Sequence, residues 1–157
     1  MNLLRRNSAE EDSEAVVVSF AMKWLNSLKA NDISVVFRKR GPTQILPKWI
    51  YAYVASPLSA MVGRTPVESC RRLPVKECLK LADAGKIAVS DLEEYADGYL
   101  ELVVYRIGEF VEAEMSYLDL SKTFGFKPPQ SFFYLSLKGK LELDSRIGFS
   151  RNETKNG

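Results

Sequence analysis

The chain has 157 residues, 46% of them apolar and 27% charged, with 22 basic against 20 acidic side chains and a formal net charge of +2. That is the balance of one ordinary globular domain with a real core, and no apolar run approaches the length that spans a bilayer. Histidine is absent, which excludes Ser-His-Asp and Cys-His nucleophile systems, His-ligated metals and imidazole acid–base chemistry.

The first elements are read from side-chain pattern alone. Residues 1–14 are polar and charged without periodicity, and no apolar core of a signal peptide follows Met1; this segment reads as a disordered tail. Ala15 to Val18 is a short β-branched run that predicts a buried strand. Ser19 can cap a helix to about Ala30, with Phe20, Trp24, Leu25 and Leu28 on one face. Asn31-Asp32 turns the chain into a strand over Ile33 to Arg38, which Gly41-Pro42 then breaks. Trp49 to Ala55 is dense in aromatic and β-branched residues and predicts a central strand that stops at Ser56-Pro57. Another strand covers Ala60 to Val67, with Gly63 as a bulge, and continues less clearly to Leu73.

The second half is more helical at first. Pro74 fits the first turn of a helix whose stripe is Val75, Cys78, Leu79 and Ala82, closed by Gly85. Ser90-Asp91-Leu92-Glu93 has the form of a capping box for a short helix to Ala96. Tyr99 to Ile107 is the strongest strand signal in the chain. Residues 109–123 read as a short helix or an irregular cover. Pro128-Pro129 fixes an extended entry to an aromatic strand over Phe132 to Leu135. Residues 138–157 lose apolar content and read as a mobile tail, with a short strand at Leu141 to Leu143. Short strands interrupted by short helices argue for one α+β domain over residues 15–137, built on a small mixed sheet or barrel.

Charge is unevenly spread. From Lys23 to Lys86 there are twelve cations against four anions, and from Ile87 to Gly125 nine anions against two cations. This asymmetry predicts a basic face and an acidic face if the two segments fold onto different sides. The most concentrated cluster is Arg38-Lys39-Arg40, placed where a strand ends. Arg and Lys bind phosphate oxygens by charge, and Arg adds a bidentate fork. By strand alternation Arg38 and Arg40 share a face that Lys39 opposes, so the three are not expected in one cleft. The plain alternative is a solvated strand end. Cys70 and Cys78 do not form a Cys-x-x-Cys pair and read as reduced thiols of a cytoplasmic protein. No Gly-rich phosphate loop, metal set or paired-carboxylate constellation is present to call for a cofactor.

Several stretches occurring in order resemble a known family. They are Val-Val-Val-Ser-Phe, Val-Val-Phe-Arg-Lys-Arg, Tyr-Ala-Tyr-Val-Ala-Ser-Pro with Met-Val-Gly, and Phe-Lys-Pro-Pro-Gln-Ser-Phe-Phe-Tyr-Leu. Together they resemble the ASCH domain, a small PUA-like β-barrel or strongly curved mixed sheet flanked by short helices. The resemblance runs from about Ala15 to Ser136 and implies a cleft that accepts RNA or a nucleobase. The family's cleft signature is Gly-x-Lys-x-x-Glu-x-Arg. With Arg38 as its Arg, Asn31, Ile33 and Val36 stand for the Gly, Lys and Glu. Neither Ile33 nor Val36 can carry a proton or attack a carbonyl, which weighs against an enzyme.

The nucleic-acid candidates are therefore Arg38, Lys39, Arg40, Ser56, Pro57, Arg64, Lys127, Gln130 and Ser131, with Phe132 and Tyr134 as stacking surfaces. The leading expectation is an RNA-binding module acting in transcription or RNA metabolism. A hydrolase of an acetylcytidine-type nucleoside using Lys29 or Lys39 is a second reading. A protein-interaction module using the acidic half is a third.

Overall fold

The β-branched and aromatic runs pair into one mixed sheet in the structure, a computed structural model that describes residues 1–43 and 45–149. Its strands are β1 (Asp12–Phe20), β2 (Val35–Arg38), β3 (Trp49–Val54), β4 (Ala60–Pro74), β5 (Glu101–Ile107), β6 (Val111–Ser116) and β7 (Phe132–Ser136). Their order is β2-β5-β4-β3-β1-β7, with β6 added on β4. β1 and β3 run parallel; the other pairings are antiparallel. The 15-residue β4 bends the sheet, because its first half pairs with β3 and β6 and its second half with β5. The sheet curls but does not close, and a seam is left between β2 on one side and the end of β1 with the residues just before β7 on the other.

Strands buried on both faces explain why the apolar runs are continuous rather than alternating. Val16, Val18 and Phe20 of β1 and Ile50, Ala52 and Val54 of β3 fill the interior, with Val36, Val103 and Tyr105. The opposite phase of the same strands, Ala15, Val17, Tyr51 and Tyr53, packs outward against Leu120, Phe124, Leu135 and Leu143. Those residues bring in α4 (Tyr117–Phe124) and α5 (Leu137–Arg146). Val35, Phe37, Leu102 and Val104 face out beneath α2 (Val75–Leu79) and α3 (Val89–Tyr95), through Cys78 and Leu92. The expected α+β curved mixed sheet with short flanking helices is the architecture found.

Several local expectations give way to tertiary pairing. Ser19 caps no helix: β1 continues through Phe20, and the Ser19 hydroxyl donates to the Pro129 carbonyl at 2.7 Å. The helix that follows is only α1 (Leu25–Lys29), entered through a 3-10 turn at Met22–Trp24. The Ser90 capping box does not form, since α3 already starts at Val89. At residues 109–123 a strand, β6, precedes the helix; Ala113 is its buried position between exposed Glu112 and Glu114. Ser116 caps α4 by accepting from the Asp119 N–H at 3.2 Å, and Gly125 ends it at φ +67°, a left-handed conformation suited to glycine.

Both expected tails are largely built into the fold. Residues 3–6 run along β7: the Arg6 N–H donates to the Tyr134 carbonyl at 2.7 Å and the Ser136 N–H to the Leu4 carbonyl at 3.0 Å. Leu4 is fully buried. In place of a strand at Leu141 to Leu143 stands α5, capped by Ser136, which accepts from the Gly139 N–H at 2.8 Å. Its buried positions are Gly139 and Leu143, and Ile147 just past its end is buried as well. The remainder of the expected C-terminal tail, 150–157, lies outside the described residues.

Candidate functional site

The open seam holds a cleft of about 610 Å³. One wall is β2 and its continuation, with Arg38, Lys39 and Arg40. The other is the end of β1, Ser19 and Phe20, with Gln130 and Ser131 just before β7. Lys23 and Trp24 close one side, and Asp91, Tyr95 and Tyr99 come from α3 and the turn after it. Four cations and one carboxylate therefore line the cleft.

All three consecutive cations reach it, contrary to the expectation that Lys39 points away. β2 ends at Arg38, so the two-residue alternation of a strand no longer governs residues 39 and 40. The Lys39 N–H donates to the Tyr95 hydroxyl at 3.2 Å instead of continuing a ladder.

Arg38 bridges the seam. Its Nη1 donates to the Phe37 carbonyl of β2 at 2.7 Å and its Nη2 to the Ser19 carbonyl of β1 at 3.1 Å. The guanidinium carbon lies 4.7 Å from the centre of the Phe20 ring. No carboxylate pairs with it among the described residues. Burial lowers its pKa from the ordinary value, as expected for a charge removed from water. A guanidinium nonetheless remains ionised at neutral pH, so the seam holds a net positive charge.

Two of the other three cleft cations also rest on π faces. Lys39 Nζ is 4.7 Å from the Tyr95 ring centre and 5.3 Å from that of Tyr99. Lys23 Nζ is 5.2 Å from the Trp24 ring centre. A ring attracts a cation without cancelling its charge. This combination of uncompensated cations and aromatic faces is suited to a polyanion carrying flat rings.

The remaining sequence candidates divide. Gln130 and Ser131 line the cleft. Ser56, Pro57 and Lys127 are exposed and do not line it. Phe132 and Tyr134 pack edge to face, with centroids 5.5 Å apart, against the interior core. The Tyr134 hydroxyl is itself buried. Arg64 lies on the far face of the sheet, bonded to the Tyr51 hydroxyl at 3.0 Å and to Asp144 at 3.3 Å. Lys29 pairs with Glu112 at 3.7 Å, away from the cleft. Ile33 and Val36, at the signature's Lys and Glu positions, are buried apolar lining.

The acidic half does not form a wholly separate face, because α3 brings Asp91 to the same cleft. The sequence reading missed Tyr95 and Tyr99. The available signal was a pair of tyrosines four apart around Gly98; the strand expected from Tyr99 begins only at Glu101, the start of β5. Among the described residues no helix is long and apolar enough to cross a membrane, and Cys70 and Cys78 are free and buried.

No family model and no curated protein matches the chain. Solved structures do. An ASCH protein from Zymomonas mobilis superimposes with TM-score 0.80 at 18% identity, over 87% of this chain and 98% of that one. A point mutant of the same protein gives TM-score 0.80 at 18% identity, over 88% and 99%. The N-terminal domain of Staphylothermus marinus McrB is more distant, with TM-score 0.57 at 10% identity, over 87% and 96%. At these identities the likeness is one of architecture: the chain has the ASCH-domain fold.

Proposed function

We propose that the chain is a nucleic-acid-binding module and that its seam cleft takes single-stranded RNA. The observation that carries this reading is the convergence of Lys23, Arg38, Lys39 and Arg40 on one cleft against the single carboxylate of Asp91. Phosphate oxygens are the complement to such a cluster, and Trp24, Tyr95 and Tyr99 supply faces for unstacked bases. Duplex is disfavoured by α3, the helix beside the cleft, whose Asp91, Glu93 and Glu94 would repel a phosphate backbone laid across it. Ile33 and Val36 add shape but no proton carrier, so the cleft is read as a binding site rather than a hydrolytic one. The ASCH-domain fold supports the same reading by analogy of architecture, and regulation of transcription or RNA metabolism is the role it fits.

The test is binding of labelled single-stranded RNA, duplex RNA and single-stranded DNA at several salt concentrations. Single-stranded RNA is expected to bind best, with a log–log salt slope of about −2 for three phosphates neutralised. Lys39→Ala/Arg40→Ala should weaken binding and flatten that slope, while Arg38 still holds the seam. A folded protein that binds none of the three at low salt would overturn the proposal.

A further inference from the structure

The side chain of Lys39 lies between two tyrosines, with its ammonium 4.7 Å from the Tyr95 ring centre and 5.3 Å from that of Tyr99. All three residues line the cleft. Tyr95 is fixed: it sits at the end of α3, is half-buried, and its hydroxyl receives the Lys39 backbone N–H. Tyr99 is 43% exposed and forms the outer side of the slot. The lysine stem is the most adaptable of the three, since four rotatable carbons carry a strongly hydrated ammonium that contacts phosphate as readily as a ring. The slot is therefore an aromatic site occupied by the chain's own cation.

We propose that this slot is a base-stacking subsite: a nucleobase displaces the Lys39 ammonium and stacks on Tyr99, and the freed lysine turns to the phosphate of the same nucleotide. The inference rests on the nucleic-acid reading of the cleft. An external cation, such as a methylated ammonium group, is the other chemistry that an aromatic slot can attract. Here Arg38, Arg40 and Lys23 line the same cleft, so an incoming cation is repelled. A flat ring joined to an anion is drawn in. Bases stack on aromatic faces with little regard to identity, so the subsite selects for an unpaired base rather than for a sequence.

The experiment uses the full chain and a short single-stranded RNA carrying 2-aminopurine at each position in turn, with a matching series of abasic oligonucleotides. At one position, stacking on Tyr99 should quench the fluorescence. Tyr99→Ala should abolish that quench and weaken binding about tenfold, the loss of one base–aromatic stack. Tyr99→Phe should keep both, because the ring and not the hydroxyl does the stacking. On the RNA abasic at that position, Tyr99→Ala should make no further difference. Lys39→Met should keep the quench and reduce the salt slope by about one. RNA binding in which Tyr99→Ala changes neither affinity nor fluorescence would overturn the subsite and leave the RNA reading standing. No RNA binding by the folded wild type would overturn both.

Discussion

Two arginines on opposite faces of the same sheet show how differently one side chain can be used. Arg64, on β4, stacks on three rings, 4.7 Å from the centre of Trp49, 5.9 Å from Tyr51 and 4.1 Å from Phe149. It also bonds the Tyr51 hydroxyl and Asp144, and Asp144 in turn holds Lys140 at 2.9 Å. Arg38, at the end of β2, stacks on Phe20 in a similar way but donates only to two carbonyls. The first charge meets a carboxylate that α5 contributes and shares with Lys140, and it ties that helix to the sheet. The second remains net positive in a cleft, and balance is left to whatever binds. Aromatic stacking is common to both; the counter-ion distinguishes a structural arginine from a ligand-binding one.

The largest effect should come from breaking the balanced site. Arg64→Ala removes a partner from a pair whose side chains are only 12% and 23% exposed and leaves Tyr51 and Asp144 incompletely bonded. Lys140 still holds Asp144, so no carboxylate is stranded; loss of the ion pair, the Tyr51 hydrogen bond and three ring contacts together should cost about 3 kcal/mol, and urea denaturation should show a loss of that order. RNA affinity of the folded protein should not change. A variant of wild-type stability that binds RNA poorly would reverse the assignment of the two arginines.

The converse substitution should separate stability from binding. Arg38→Met replaces a desolvated cation with an apolar chain of similar length, and the carbonyls of Phe37 and Ser19 border a cleft open to water. Stability should change by less than about 1 kcal/mol. Affinity for single-stranded RNA should fall by about 2 kcal/mol, roughly thirtyfold, with a shallower salt dependence. Equal loss of stability in the two variants, with RNA binding intact in both, would erase the difference between the sites.

The legibility of these sites from sequence follows the same division. Arg38 to Arg40 announced themselves because three cations at a strand end need no tertiary information to be noticed. Their convergence was hidden, since it depends on β2 ending at Arg38, and strand boundaries are poorly marked in sequence. Arg64 was indistinguishable from a surface cation because its carboxylate partner is 80 residues away on a helix that read as a tail. That helix, α5, buries only a narrow stripe, too little apolar content to register as periodicity. Tyr99 failed for a related reason, while Tyr95 lay at the end of a short helix whose exposed face carries no mark of a cleft. An aromatic beside a strand signal reads as strand, and only the turn at Gly98, where φ is +84°, frees Tyr99 to line the cleft. The sheet itself was readable because both faces of β1 and β3 are buried, which makes their runs unmistakably apolar. β6 was not, because Glu112 and Glu114 interrupt it.

The smallest effect concerns what surrounds Arg38 from within. Cys70 and Tyr105 belong to the interior core on the same side of the sheet as the seam. Burial pushes the Cys70 thiol up from 9.0 to about 11 and raises the Tyr105 phenol as well. Both groups are therefore neutral at physiological pH and neither compensates the guanidinium. A raised thiol pKa stabilises the fold fully below the unfolded value near 9. That contribution is lost as pH rises toward 11, because the unfolded chain gives up the proton first. Urea midpoints of the wild type should accordingly decline over this window, by at most one proton's worth of slope from this residue. Cys70→Ala should flatten that part of the decline and leave stability near neutral pH governed by packing alone. An unchanged slope would mean that the thiol ionises as readily folded as unfolded, and that burial in the interior core beneath the seam does not hold it neutral.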